Sequence, residues 1–519
     1  MDATLIFHNN FHFSALFCNF VRQNHDIMKR LLTILLMACC AIALLADNQQ
    51  DARRRVRYKD GPAYIYRVYL SDKQGSANLI AHPSRFLSRR AIERRRRQQL
   101  PIDSTDLPVA ARYVRQIENR GMNVIGQSRW HNTVLVHVHD TLDIQSIDQL
   151  PCVKARRLVW QSPDSVSDRI LKSKVRKHFE AHDSIGGQPY GRAFEQVKAL
   201  HGDQLHRQGL RGEGMMIAVI DGGFRNADRI PALQHADIRG CRDFVFMPVI
   251  PAYADTDHGT KVLSTMAVNE PTCYIGSAPK AAYWLLRSED QQSEQEVEED
   301  YWTMAAEFAD SVGCDLINSS LGYNEYDHAD TSHQLWHLDG QTAFVSQSAS
   351  MLARKGIVLV NSAGNSGMGP WKKINVPADA DHILTVGAIT PDTPYHIAPF
   401  SSVGPSQDGR IKPDIVAIGA PAYLINGRGA ITQDMGTSFA APIVCGLAAC
   451  LWQSMPEKTA EEIIELIRQT GHNRDHPDNI YGYGLPDFWM AYLRGRASTS
   501  QEASPSQEAS PSPSKGGDV

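Results

Sequence analysis

Gly436-Thr437-Ser438-Phe439-Ala440-Ala441-Pro442 runs directly into the apolar segment Ile443 to Trp452. A glycine-led turn here delivers a small hydroxyl residue to the first turn of a helix whose body is Ala, Val, Leu and Cys. The first N–H groups of a helix have no intrahelical acceptor, and the helix dipole places partial positive charge beside them. Negative charge developing near the Ser438 oxygen would be stabilised there, which suits a nucleophile. The ordinary alternative is an N-cap serine on a buried helix, and Gly-Thr-Ser alone does not separate the two. Partners elsewhere in the chain decide.

The 519 residues, 42% hydrophobic and 21% charged, can bury a large core and fill more than one domain. A formal charge of −4 gives no global attraction to nucleic acid or to anionic membranes, so no nucleic-acid partner is expected. The 9 cysteines include no CxxC pair and no Cys/His array at zinc spacing. Cys18, Cys39 and Cys40 fall in or before an export signal and Cys152 in the segment after it, which leaves an odd remainder and argues against a disulfide scaffold.

Met28-Lys29-Arg30 followed by Leu31 to Leu45 has the basic start and short apolar core of a secretory signal, with Ala43 and Ala46 as cleavage points. Residues 1–46 are therefore expected to be an N-terminal extension and signal peptide, with translation starting at Met28. The apolar run is shorter than the ~20 residues of a membrane span, so the mature form is expected without a transmembrane helix, in the periplasm or outside the cell. Leu36-Met37-Ala38-Cys39 resembles a lipoprotein cleavage box, and lipidation of Cys39 is the anchored alternative.

Residues 47–165 form the next segment. Tyr64 to Leu70, Met122 to Trp130, Thr133 to His139 and Val153 to Trp160 have strand composition, while Val109 to Asn119 and Ile144 to Leu150 have helical spacing. That is the order of a small ferredoxin-like α+β unit. An additional basic stretch, Arg89 to Arg97, is expected to be a solvated helix face rather than a nucleic-acid site. His137 and His139 alternate along one strand without further ligands nearby, and are expected to be structural. Residues 166–189, polar and ending in Gly186-Gly187 and Pro189, read as a linker.

From 190 to 495 helical and strand patterns alternate, which implies an α/β domain with a doubly wound, mostly parallel sheet and helices on both faces. Met215 to Ile220 is a continuous apolar run, as in a central parallel strand, and ends in Asp221-Gly222-Gly223. A carboxylate at that edge stands where open α/β sheets place their sites. Asp257-His258-Gly259-Thr260 opens the next helical pattern. The helix Val297 to Val312 feeds the strand Leu316 to Ser320, and the helix Ala343 to Arg354 feeds Ile357 to Val360 and then Asn361-Ser362-Ala363-Gly364-Asn365. Small neighbours leave the Asn365 amide free to face a cleft. Thr459 and Glu462 form a capping box on an amphipathic helix. Residues 496–519, where Ser500 to Pro505 is repeated at Ser506 to Pro511, are expected to be a disordered Ser/Pro/Glu-rich tail.

Asp221, His258 and Ser438 occur in the chain order Asp, His, Ser, which differs from the orders used by chymotrypsin and by α/β hydrolases. With Gly212-Glu213-Gly214, Ile317 to Gly322, Ala363-Gly364-Asn365, Lys412-Pro413-Asp414 and Gly436 to Pro442, the stretch from Tyr190 to about Arg494 resembles the subtilisin-like serine peptidases. The resemblance implies a subtilisin-like sheet and a secreted endopeptidase acting on polypeptides. Asp221, His258 and Ser438 would be its triad, with Asn365 and the Ser438 N–H as oxyanion hole. Ser320-Leu321-Gly322 and Ser362-Ala363-Gly364 would flank the bound peptide. It also implies that the preceding α+β unit is a propeptide, both chaperone and inhibitor. No organic cofactor is required, and no pattern in the sequence marks the calcium sites that many relatives carry. Three positions depart from the family: Lys261 replaces a usual histidine, Phe439 a usual methionine and Tyr323 a usual glycine. An inert peptide-binding descendant is the alternative, although all four groups of the expected machinery are present.

Overall fold

The computed structural model describes residues 62–163, 174–246, 248 and 250–502. The expected signal peptide and residues 503–519 lie outside them. In chain order the strands are β1 (Tyr64–Leu70), β2 (Asn123–Ser128), β3 (Thr133–Val138), β4 (Val153–Gln161), β5 (Met216–Asp221), β6 (Asp237–Asp243), β7 (Asn269–Glu270), β8 (Tyr274–Ile275), β9 (Ala282–Arg287), β10 (Leu316–Ser319), β11 (Val358–Ser362), β12 (Leu384–Ile389), β13 (Ile415–Ile418), β14 (Ala422–Ile425) and β15 (Ile431–Asp434).

The first four strands form an antiparallel sheet in the order β2-β3-β1-β4. Tyr113 and Ile117 of the helix Ala111–Glu118, four residues apart and so on one face, are buried in a core with Val68, Val134, Val136 and Ile144. The α-helix expected over Ile144 to Leu150 is instead a short 3-10 turn, Asp143–Ile147. Pro151 disfavours helical geometry at Leu150, which leaves too few residues for a second turn.

The second sheet has seven strands in the order β13-β12-β11-β10-β5-β9-β6, all parallel. Alternate residues of β5 feed opposite layers. Ile217 and Val219 pack with the helices His258–Ala267 and Thr437–Gln453, and Ala218 and Ile220 pack with Val297–Val312 and Phe344–Arg354. A strand covered on both faces can be apolar throughout, as this one is. The helix Thr437–Gln453 is buried along nearly its whole length and correspondingly apolar on every side. The chain crosses from β5 toward one edge and later returns to place β10 on the other side of β5. The crevice at the carboxyl ends of β5 and β10 is thus the topological switch point, where such sheets bind ligands.

The basic helix Arg89–Arg97 overturns its expected solvated setting. Arg94 and Arg95 are 0% and 1% exposed. Arg94 pairs with Asp310 and donates to the carbonyl of Lys355, while Arg95 bridges Asp310 at 2.9 Å and Asp106 at 2.6 Å. Arg129 reaches the same Asp310 at 2.5 Å. Burial alone would raise the Asp310 pKa, yet Arg129, Arg94 and Arg95 hold it down to about 2. The face of Val297–Val312 turned away from the sheet carries further carboxylates with partners in the first domain. Glu307 accepts from the Ser128 hydroxyl and from the N–H groups of Arg129 and Trp130, and Asp300 accepts from Arg67 at 2.8 and 2.5 Å. Met304 lies against Gly126 of β2, while Trp302, Ala305, Ala306 and Ala309 face the seven-stranded sheet.

At the far end, the helix Phe488–Glu502 continues past Ala497, so the change of composition there does not mark the end of regular structure. Backbone amides can stay paired in a helix whatever the side chains, and serine and glutamine are tolerated in a last turn.

Removing one partner of a buried charge network strands the others at a cost of about 3–5 kcal/mol. Asp310→Ala is therefore expected to loosen the first domain from the second by about that amount. In urea, its unfolding should separate from the main transition or move to clearly lower concentration; an unchanged profile would show that the network contributes little.

Candidate active site

Asp221 ends β5 and is fully buried, with its Oδ1 accepting the Gly222 N–H at 2.8 Å. His258 opens the helix His258–Ala267, and its Nδ1 lies 2.8 and 3.0 Å from the two Asp221 oxygens. Gly259 makes this approach feasible. Its N–H donates to the Gly223 carbonyl at 2.9 Å, and a Cβ there would lie 2.6 Å from that oxygen and 2.7 Å from the Phe224 ring. The helix can begin against the turn after β5 only because residue 259 has no side chain. The His258 side chain keeps 33% of its exposure. Burial lowers its pKa, the Asp221 charge and hydrogen bond raise it, and the balance is upward.

Ser438 is the second residue of the helix Thr437–Gln453, with Gly436 as N-cap, as the motif implied. Its Oγ donates to the Ser320 carbonyl at 3.3 Å, and among the described residues no Ser438–His258 hydrogen bond is made. The ring after it, Phe439, stands 5.7 Å from the His258 ring centroid. Of the first three N–H groups in this helix, Thr437 donates to Asn365 Oδ1 at 3.0 Å and Phe439 to the Gly436 carbonyl at 3.1 Å. The Ser438 N–H is left as the donor with no described acceptor. The Thr437 hydroxyl also donates to Asn365 Oδ1, at 3.0 Å. An N–H can only donate, so these bonds fix the oxygen end of the Asn365 amide and leave its Nδ2 facing away from the helix.

The two stretches expected to flank a peptide follow β10 and end β11, on either side of this point. Ser320 and Ser362 are buried and Ala363 fully so, while Leu321, Gly322 and Gly364 remain partly exposed. Ser320 is committed internally: its Oγ donates to the Ser438 carbonyl at 2.8 Å and receives Asn318 Nδ2 at 3.0 Å. Gly364 has φ +106°, and its N–H donates to the Thr437 hydroxyl at 3.2 Å.

Asn375 escaped the reading of the sequence. A Cβ on Gly322 would lie 2.9 Å from Asn375 Cβ, and one on Gly364 would lie 3.1 Å from its Cγ, so its side chain fills the space between the two stretches. No local pattern announces this, because the contact joins the loop after β10 to two separate points of the loop after β11. The family departures also have visible settings. Lys261 pairs with Asp434 at 3.0 Å and Asp257 at 3.5 Å, bracing the His258 helix against β15. The Tyr323 hydroxyl donates to Glu289 at 2.6 Å, and burial together with nearby Glu294 pushes the Glu289 carboxyl up to about 8.

The first domain ends beside this cleft. Trp160 Nε1 donates to the Ser293 hydroxyl at 3.2 Å, and Gln295 exchanges two 2.9 Å bonds with the Gln161 backbone. When the chain is next described, Arg176 N–H donates to the Arg428 carbonyl at 2.8 Å, and neighbouring Gly427 is bonded to Asp257, the residue before His258.

Comparison with known proteins places this arrangement. A family model described as the Subtilase family matches residues 212–484, and one described as the Peptidase S8 propeptide domain of Bacteroidota matches residues 65–177. Subtilisin DY from Bacillus licheniformis is 28% identical over 303 residues, 57% of this chain and 96% of that protein. Serine protease AprX from Bacillus subtilis is 28% identical over 324 residues, 56% of this chain and 69% of that one. A solved structure of an epidermin leader peptide processing serine protease from Staphylococcus aureus is 16% identical with a TM-score of 0.56, covering 86% of this chain and 100% of that one, a likeness of fold. With half the chain matched by the family model and a parallel sheet carrying an aspartate, a histidine and a helix-borne serine at its switch point, the chain belongs to the subtilase family, preceded by a propeptide domain.

Proposed function

We propose that this subtilase hydrolyses peptide bonds through Ser438, His258 and Asp221. The observation that carries the reading is the buried Asp221 carboxylate held 2.8 Å from His258 Nδ1, which fixes the imidazole tautomer with Nε2 free to take a proton. Ser438 Oγ, turned from the Ser320 carbonyl toward that nitrogen, attacks the substrate carbonyl, and its proton passes to His258. The imidazolium, supported by Asp221, then protonates the leaving amine. Water, deprotonated in turn by His258, hydrolyses the acyl-enzyme. The unclaimed Ser438 N–H and the outward Asn365 Nδ2 suit the oxyanion. The partly exposed backbone at Leu321, Gly322 and Gly364 suits an extended peptide added as a strand. Asn375 offers a polar surface at the floor between the two stretches.

The first domain acts in this reading as an inhibitor and folding aid. Two contacts support this: its last strand ends at Gln161, bonded to Gln295, and Arg176 is bonded to Arg428, whose neighbour Gly427 is bonded to Asp257, the residue before His258. Export of the protein is supported by the Met28 to Ala46 pattern.

Ser438→Ala is expected to abolish turnover, by roughly 10⁶-fold on the magnitude taken from subtilisin itself, and to leave the full chain uncut. Wild type should lose its first domain by cleavage within about 161–189, the polar linker. Mass spectrometry of the two purified proteins reads both; an active or self-processed Ser438→Ala protein would sink the assignment.

Asn365→Ala should lower kcat by about 10²- to 10³-fold, again subtilisin's own magnitude, with KM little changed, because its amide meets charge present only in the transition state. A change confined to KM would point to substrate binding instead.

Asp221 raises the His258 pKa against burial, so in the Ser438→Ala background Asp221→Asn should move the His258 titration, followed by NMR, to lower pH. An unmoved titration would mean that the carboxylate does not govern the imidazole.

A further inference from the structure

Beyond the triad, three carboxylates gather where β9 turns into the helix Val297–Val312. Glu289, Glu294 and Glu298 each bring an oxygen to within 4.8 Å of the other two. Glu289 and Glu298 are 6% and 1% exposed, and Glu294 faces solvent. Some of their lone pairs are satisfied. Glu289 Oε1 accepts from the Tyr323 hydroxyl at 2.6 Å and the Ser288 hydroxyl at 3.1 Å, and Glu298 Oε1 accepts the Asp290 N–H at 2.8 Å. Glu298 Oε2 is different: it is buried and has no hydrogen-bond partner.

Among the described residues no lysine, arginine or histidine forms an ion pair with any of the three. Their charged surroundings are negative as well. Asp327 accepts the Glu294 N–H at 3.1 Å, and Glu289 packs against Gly222, next to Asp221. Ionised, Glu298 Oε2 is a buried acceptor without a donor. Burial and the neighbouring carboxylates favour the protonated forms of Glu289 and Glu298, so a cation binding here displaces protons. A positive ion at the centre of the three would satisfy Oε2 and cancel the repulsion together. Every donor is oxygen, which suits a hard cation and not zinc, and the solvent-facing side at Glu294 leaves room for water ligands.

We propose that Glu289, Glu294 and Glu298 form a binding site for a hard divalent cation, calcium in the first instance. Calcium accepts six to eight oxygens in irregular geometry, so three carboxylates completed by water meet its needs more readily than magnesium's strict octahedron. The ion would tie the end of β9 to the first turn of Val297–Val312. Between these lie Ser293 and Gln295, the residues that receive Trp160 and Gln161 of the propeptide.

The test uses the full chain carrying Ser438→Ala, stripped with a chelator and titrated calorimetrically with calcium chloride and then with magnesium chloride. One calcium should bind per chain, more tightly than magnesium, and thermal unfolding should move to higher temperature. Glu298→Gln should abolish this binding. Glu294 is exposed, so Glu294→Gln should fold normally and bind calcium about tenfold more weakly or worse; it keeps the test decisive if Glu298→Gln does not fold. Absence of calcium binding by the parent chain, or affinity unchanged in Glu294→Gln, would overturn the proposal, the second by placing any bound ion elsewhere.

Discussion

One buried carboxylate, Asp310, holds three guanidinium groups and with them the relation between the two domains. It lies on a helix with two duties. Trp302, Ala305, Ala306 and Ala309 close one face of the parallel sheet, and the opposite side carries Asp300, Glu307 and Asp310 into contact with the propeptide. A cover helix of an α/β domain would ordinarily give that side to water. Here the acids are buried against the propeptide domain, and each has a donor there. Charged residues are costly to bury without partners, and an interface made of matched charges supplies them.

Much of this was legible from residue order. The apolar run ending at Asp221, the glycine after His258 and the Gly-Thr-Ser before a buried helix each state a local backbone requirement, and local requirements survive folding. The four strands of the propeptide and its helix Ala111–Glu118 were equally plain, because alternation and helical spacing are short-range patterns. What stayed hidden depends on meetings between distant segments. Arg94 and Arg95 look like any basic helix until Asp310, more than two hundred residues later, is brought against them. The same holds for Asn375 between the two groove stretches. Glu289, Glu294 and Glu298 were in plain view within ten residues, but acidic runs before a helix are read as dipole compensation, and only the fold turns all three toward one point.

The His258 imidazole sits between two opposing influences. Burial disfavours its charged form and Asp221 favours it, with the carboxylate prevailing. Phe439 contributes to the first by lining the pocket with an aromatic ring, and Lys261 acts against the second, though its charge is largely spent on Asp257 and Asp434. The departures from the family pattern thus cluster around the imidazole and the groove wall rather than within the proposed proton-transfer groups.

Two serines grip one another across the cleft: Ser320 Oγ donates to the carbonyl of Ser438 at 2.8 Å, and Ser438 Oγ donates to the carbonyl of Ser320 at 3.3 Å. The two arms are unequal. The shorter joins hydroxyl to helix backbone and keeps Ser320 in register with the head of the Ser438 helix, while the longer is the one that opens in the proposed mechanism, where the hydroxyl swings toward His258. A neutral hydrogen bond contributes about 1 kcal/mol net, so this parked rotamer is a safety catch with a light spring: it holds the oxygen aside in the resting enzyme, and releasing it leaves the frame around it undisturbed.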